Sequence, residues 1–170
     1  MKKIAILLSL IISVSATQLK VPSAYSTIQA GLNAASTGDT VLVAAGTYTE
    51  NIIWPDVNGI RLISEGDSSN TIIDGGGTSS VIYMNPSSAT IDTATLIKGF
   101  KITNGAYLDG GGIAIYGSSP TLMNLIIANN AASDDGGGIY IEGDTPTLTN
   151  VVIINNSAAD NGGGILLKQS

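Results

Sequence analysis

Gly110-Gly111-Gly112-Ile113 returns as Gly136-Gly137-Gly138-Ile139 and again as Gly162-Gly163-Gly164-Ile165, 26 residues apart each time. The residues between keep step with it. Pro120 matches Pro146, Leu122 matches Leu148, Asn124 matches Asn150, and Asn104, Asn130 and Asn156 form a triplet. A fixed period in the twenties carrying short apolar runs is the mark of a solenoid, in which each repeat buries its apolar face only by stacking on its neighbours. Three regular units follow, at 92–117, 118–143 and 144–169. In each, a glycine corner leads into a strand whose alternate residues point inward. Ile113, Ile139 and Ile165 are expected to stack in one column and Ile115, Ile141 and Leu167 in the next. A second face is expected from Phe100, Ile126 and Val152 with Ile102, Ala128 and Ile154, which leaves Ile127 and Ile153 pointing outward.

The composition agrees with such a stack. Charged residues make up only 12% of 170 residues, glycines number 21, and there are one Trp, one Phe and six Tyr. A globular enzyme would show more charge and more aromatic bulk. The net charge of −6 disfavours nucleic acid and anionic membrane surfaces as partners. Cysteine and histidine are both absent, which removes disulfides, thiolate sites and the commonest general base.

At the N-terminus, Lys2-Lys3 precede the apolar run Ile4 to Val14, and Val14-Ser15-Ala16 offers small residues for cleavage. The run is too short to span a bilayer, so residues 1–16 read as a secretory signal peptide. The expected destination is the cell surface or the medium. The β-helix domain then covers 17–170: a cap at 19–40, irregular rungs at 41–91 and regular rungs at 92–169. Within the cap, Ser26-Thr27-Ile28-Gln29 has the form of a capping box, and Ile28, Leu32 and Ala35 make an apolar stripe. A short amphipathic helix there would cover the bare edge of the first rung. Short β runs at Gly59–Ile63, Thr71–Asp74 and Val81–Met84 fill the middle. Gln169-Ser170 follows a strand with no polar cap, so further C-terminal rungs or a further domain are expected.

The words Val21-Pro22-Ser23, Thr27-Ile28-Gln29, Gly38-Asp39-Thr40-Val41 and Gly46-Thr47-Tyr48-Thr49-Glu50-Asn51 resemble the N-terminal cap of the pectin lyase-like superfamily. The Gly-Gly-Gly-Ile and Ile-x-Asn-Asn words are similar to the repeats of polymorphic outer membrane (adhesin-type) proteins. These resemblances imply an all-β, right-handed parallel β-helix. They imply either an adhesive surface module or a polysaccharide lyase, esterase or hydrolase. Enzymes of that superfamily use an Asp pair or a Ca²⁺ cluster with a nearby Arg or Lys. Here Arg61 is the sole arginine and lies in an early rung.

Several positions are candidates for chemistry. Asn104, Asn130 and Asn156 read as a structural ladder of stacked amides. The glycine triplets lack the Lys-Ser/Thr of a phosphate loop and read as left-handed corners. Asp134 and Asp160, one period apart, have Asp109 and Asp135 in the adjacent column. Three readings of this cluster stand side by side: a solvated loop tip, a Ca²⁺ site, or a catalytic carboxylate pair at Asp134 and Asp160. No cofactor other than Ca²⁺ is implied. Tyr116, Glu142 and Lys168 form one outward column and Ala114, Tyr140 and Leu166 the other, so Tyr116 and Tyr140 are candidates for stacking on sugar rings of a polysaccharide or surface glycan. The favoured function is an exported structural or adhesive module that binds such a polymer, and the alternative is a polysaccharide-active enzyme whose active site is incomplete in this stretch.

Overall fold

Short apolar-polar alternations recur along the chain, and each segment hydrogen-bonds to its equivalent one coil away. A computed structural model describes residues 15–169; residues 1–14 of the expected secretory segment 1–16 lie outside the described residues. The stack opens with β1 (Gln18–Val21) and α1 (Ile28–Ala34). The next coil holds β2 (Thr40–Val43), β3 (Gly46–Thr49) and β4 (Ile52–Ile53), followed by β5 (Arg61–Ser64), β6 (Thr71–Asp74) and β7 (Ile82–Met84). A coil of four short strands comes next: β8 (Leu96–Lys98), β9 (Lys101–Thr103), β10 (Ala106–Tyr107) and β11 (Ile113–Tyr116). The last two are β12 (Thr121–Ala128), β13 (Ala131–Ala132) and β14 (Ile139–Glu142), then β15 (Thr147–Ile154), β16 (Ser157–Ala158) and β17 (Ile165–Lys168).

Every pairing between these strands is parallel. The result is an all-β parallel solenoid of about six turns with one short helix. One face stacks β4-β7-β11-β14-β17 and a narrow one stacks β10-β13-β16. The other two faces merge, because β12 and β15 run unbroken through the corner that separates β8 from β9. Asn124 and Asn150 turn that corner with φ of 53° and 52°, where Gly99 does so one coil earlier. Asparagine tolerates this left-handed conformation better than other side chains.

The end of the stack is covered as expected, by different contacts. Ile28 and Leu32 are fully buried and Ala35 nearly so. The expected box of Ser26 and Gln29 does not form: the cap is Thr27, whose hydroxyl accepts from Ala30 N–H at 3.1 Å. Glu50 takes over the first turn, accepting from Ile28 and Gln29 N–H at 2.9 and 3.0 Å. Gln29 is occupied elsewhere, its amide bonded to both Ile53 N–H and Ile53 C=O. It satisfies the free side of β4, which would otherwise be a bare edge. None of the described helices is long and apolar enough to cross a membrane.

Ile82, Ile113, Ile139 and Ile165 stand in file, with Met84, Ile115, Ile141 and Leu167 beside them. On the opposite wall the 26-residue period fails. Ile126 pairs with Lys101, Ile127 with Ile102 and Ala128 with Thr103, an interval of 25. The coil containing β9 is one residue shorter than the next. Tyr107 still pairs with Ala132, yet Ile113 pairs with Ile139, so the extra residue enters between Ala132 and Gly136. A one-residue shift exchanges the two faces of a strand. The inward set is therefore Phe100, Leu125 and Val151 with Ile102, Ile127 and Ile153, not the expected columns through Ile126 and Val152 or through Ala128 and Ile154. Ile127 is fully buried, whereas Val152 and Ile154 are about half exposed.

This register predicts that Ile127→Ala lowers unfolding free energy by about 2–5 kcal/mol, while Ile126→Ala changes it by less than about 1 kcal/mol. Urea denaturation of the two variants, followed by circular dichroism, separates them; equal losses would contradict the 25-residue offset.

Candidate functional site: a tyrosine row beside an acidic loop

The glycine triplets shape the surface next to the β11-β14-β17 face. Gly110, Gly136 and Gly162 are left-handed, with φ of 65°, 65° and 63°. The second and third glycines are needed for a different reason. A Cβ on Gly111 or Gly112 would collide with the carbonyls of Ala131 and Gly138, and one on Gly137 or Gly138 with those of Ser157 and Gly164. Conformation thus explains the first glycine of each triplet, and in the first two triplets the close approach of the next coil explains the other two.

These tight loops lie over the sheet. A Cβ on Gly110 would stand 2.7 Å from Ala114 Cα, and one on Gly136 would stand 2.9 Å from Tyr140 Cα. Ala114 is consequently buried and Tyr140 is only 2% exposed. Tyr140 cannot offer its ring face to a sugar, contrary to the sequence expectation. Its hydroxyl donates to Glu142 Oε2 at 2.7 Å, and burial together with that carboxylate holds the phenol well above its usual range. Tyr116 is half-buried, and loss of water, then the charge of Asp109, pushes its hydroxyl up to about 12. Glu142 in turn faces Lys168 Nζ at 3.9 Å, an exposed pair worth at most about 1 kcal/mol.

Tyr140 and Tyr116 belong to a longer row. Ring centroids lie 5.4 Å apart for Tyr116–Tyr140, 5.6 Å for Tyr83–Tyr116 and 6.4 Å, edge to face, for Tyr83–Tyr107. Tyr83 pairs with Ala114 across an interval of 31 residues, so a search at 26 misses it. Tyr107 is 45% exposed and lines a groove of about 420 Å³ with Ala106, Leu108, Ala131, Ala132 and Ser133.

The acidic residues sit where the extra residue enters the coil. Asp109, Asp134 and Asp135, all half-buried, each bring one carboxylate oxygen within 4.8 Å of the others. Asp160 is outside this set: it is exposed, and its N–H donates to the backbone C=O of Asp134 at 2.9 Å. In the neighbouring column Asp135 N–H donates to Asp109 Oδ1 at 3.3 Å, and Asn161 donates from both N–H and Nδ2 to Asp135 Oδ1 at 3.0 Å. Desolvation first, then the charges of Asp135, Asp109 and Asp160, raises the Asp134 carboxyl above its ordinary value. Arg61 lies on β5, in a different sheet. With one oxygen from each, these three carboxylates supply half or fewer of the six to eight oxygens that Ca²⁺ takes, so water and backbone would complete such a shell. The same oxygens accept hydrogen bonds from sugar hydroxyls.

The asparagine ladder is real for two of its three members. Buried Asn130 accepts from Gly105 N–H at 2.9 Å, and its Nδ2 donates to Ile102 C=O at 3.2 Å and to Asn156 Oδ1 at 3.0 Å. Asn156 accepts from Asn130 N–H at 2.9 Å and donates to Ile127 C=O at 2.9 Å. Asn104 does not belong to this column. It is exposed and left-handed, in file with Asn129 and Asn155, and the shorter coil places Gly105 beneath Asn130 instead.

Asn130→Ala leaves the Gly105 N–H without its partner and is expected to cost about 1–3 kcal/mol. Asn104→Gly keeps the left-handed backbone and is expected to cost much less; thermal melts of both check this. For Asp134 the raised value means that the folded chain binds its proton more tightly than the unfolded one. Stability from this group is therefore present at low pH and is lost as pH rises through the raised value. Asp134→Asn should raise the melting temperature at pH 7, with the gain vanishing below the ordinary carboxylate range; a gain equal at pH 3 and pH 7 would contradict a cost tied to the ionised carboxylate.

Residues 80–170 match the family model described as a right handed beta helix region. Neither the curated proteins nor the solved structures contain a match to the chain. The matched span takes in more than half of the chain and all three regular coils, the same coils whose parallel register is described above. By that match and by its architecture, the chain belongs to the right-handed β-helix family.

Proposed function

We propose that this chain is an exported β-helix module, secreted or displayed at the cell surface, that binds a carbohydrate polymer along its tyrosine row. The observation that carries this reading is the contiguity of Tyr83, Tyr107 and Tyr116 with Asp109 on one side of the stack. Tyrosine faces take the C–H faces of sugar rings, and carboxylates take their hydroxyls. Rigid aromatic rings do this at low entropic cost, because the surrounding coils already hold them. The local and overall negative charge favours a neutral polymer, or a uronate bridged by Ca²⁺ at Asp109, Asp134 and Asp135. Export rests on the basic and apolar pattern of residues 2–16. The adhesive role rests on the resemblance of the Gly-Gly-Gly-Ile repeats to those of outer membrane adhesins, and the pectin lyase-like likeness of residues 46–51 gives the polysaccharide class.

A glycan array spanning neutral and uronic polymers, read with and without Ca²⁺, tests the reading. Binding should fall about threefold to tenfold in Tyr116→Ala and in Tyr107→Ala, as loss of an aromatic contact does. Tyr140→Ala should instead lower stability. Unchanged binding in both the Tyr107 and the Tyr116 variant, or no bound glycan at all, sinks the module. Cleavage of the bound polymer that disappears in Asp134→Asn would make the chain an enzyme, the role for which the raised Asp134 carboxyl is suited.

A further inference from the structure

Four of the six tyrosines make one connected chain of rings. From Tyr107, 45% exposed, it passes at 6.4 Å to Tyr83, at 5.6 Å to Tyr116 and at 5.4 Å to Tyr140, which is 2% exposed. These centroid distances are those of direct aromatic contact, close enough for an electron to pass from ring to ring. The two ends of the chain differ in what becomes of the phenol proton. Tyr140 Oη donates to Glu142 Oε2 at 2.7 Å, a charge-assisted bond to a group able to keep the proton. Among the described residues nothing accepts from the hydroxyls of Tyr107, Tyr83 or Tyr116, and Tyr83 Oη instead accepts from Asn85 Nδ2 at 3.1 Å. Outside the row, the Tyr48 hydroxyl donates to Ala44 C=O, which is no base. Trp54, the sole tryptophan, buries an indole N–H that has no acceptor among the described residues.

A phenol that gives up an electron becomes a strong acid, so oxidation settles on the ring whose proton has somewhere to go. We infer that the row conducts one-electron oxidation from the surface to Tyr140, its substrate being a one-electron oxidant too large to enter the coil. The oxidant takes an electron at exposed Tyr107, and electrons from Tyr83, Tyr116 and finally Tyr140 refill the row in turn. Tyr140 passes its proton along the short bond to Glu142. The products are a reduced oxidant, a neutral tyrosyl radical at Tyr140 and a protonated Glu142. The Gly136 loop over Tyr140 keeps that radical from the rings of other chains, whereas a radical left on Tyr107 is open to them. Glycan binding is a separate matter, because Tyr140 and Glu142 take no part in it.

The test illuminates the chain with a ruthenium polypyridyl photosensitiser and a cobalt(III) electron acceptor, and follows tyrosyl radical by electron paramagnetic resonance. The unaltered chain should give a persistent signal that is lost in Tyr140→Phe. Glu142→Gln, which keeps an accepting oxygen but cannot hold the proton, should lose most of it. Tyr116→Phe keeps the ring and removes the oxidisable phenol, so it should lower the yield without changing the decay of what remains. Each substitution keeps the shape of the side chain. No signal from the unaltered chain, or an equally persistent one in Tyr140→Phe, overturns the inference. An unchanged yield in Glu142→Gln overturns it too, since the carboxylate would then be a packing partner only. So does an unchanged yield in Tyr116→Phe, which would mean that the row is not the route.

Discussion

Parallel backbone hydrogen bonding between successive coils is the interaction on which the rest of this structure depends. Each N–H must find a C=O one coil away, at about 4.8 Å, and each inward side chain must then lie over another of its kind. The aliphatic columns through Ile113 and Ile127 are consequences of that register as much as causes of it. A coil is free to differ in length from its neighbour only between the paired segments. Length differences are therefore expelled to the corners, where they emerge as loops.

The loops so created are where the polar chemistry gathers. The extra residue of the coil containing β12 enters between Ala132 and Gly136, and this is the stretch that brings Asp134 and Asp135 beside Asp109. Earlier irregular loops are tied down differently. Asp56 accepts from the hydroxyls of Ser87 and Ser88 and from the N–H groups of Ser88 and Ala89, which holds its carboxyl far below the ordinary range. The two carboxyl groups move in opposite directions. Asp56 is surrounded by donors, whereas Asp134 loses water and then faces other acids.

The sequence makes the solenoid legible because the glycine triplets and their following isoleucines lie on the wall where the period really is 26. It hides the opposite wall, because nothing in a string of letters marks where a one-residue insertion is absorbed. Apolar residues sit at both 126 and 127 and at both 152 and 153, so the alternation reads equally well in either phase. The same slip lets Asn104 pass for a member of the Asn130 column, since asparagines occupy adjacent corner positions, 129 and 130. Tyr83 was hidden for a related reason, its coil being separated from the next by a longer loop. The covering of Tyr140 was illegible because it depends on how flat the Gly136 loop lies, which is a matter of tertiary contact.

That covering also explains the composition of the tyrosine row. In the column Tyr83, Ala114, Tyr140, the middle residue is small, and the Gly110 loop lies so close that a Cβ there would already meet Ala114 Cβ at 2.8 Å. A larger residue at 114 would have to displace the loop that carries Asp109. With alanine there, the loop stays down, Tyr83 and Tyr116 approach to 5.6 Å across it, and Asp109 remains close enough to Tyr116 to raise its phenol. Inward positions of a solenoid are fixed by the coils above and below, but an outward position is fixed only where a loop folds back over it. Tyrosines beside such a loop are held rigid on one side and open on the other, the condition under which an exposed ring binds without first paying to be ordered.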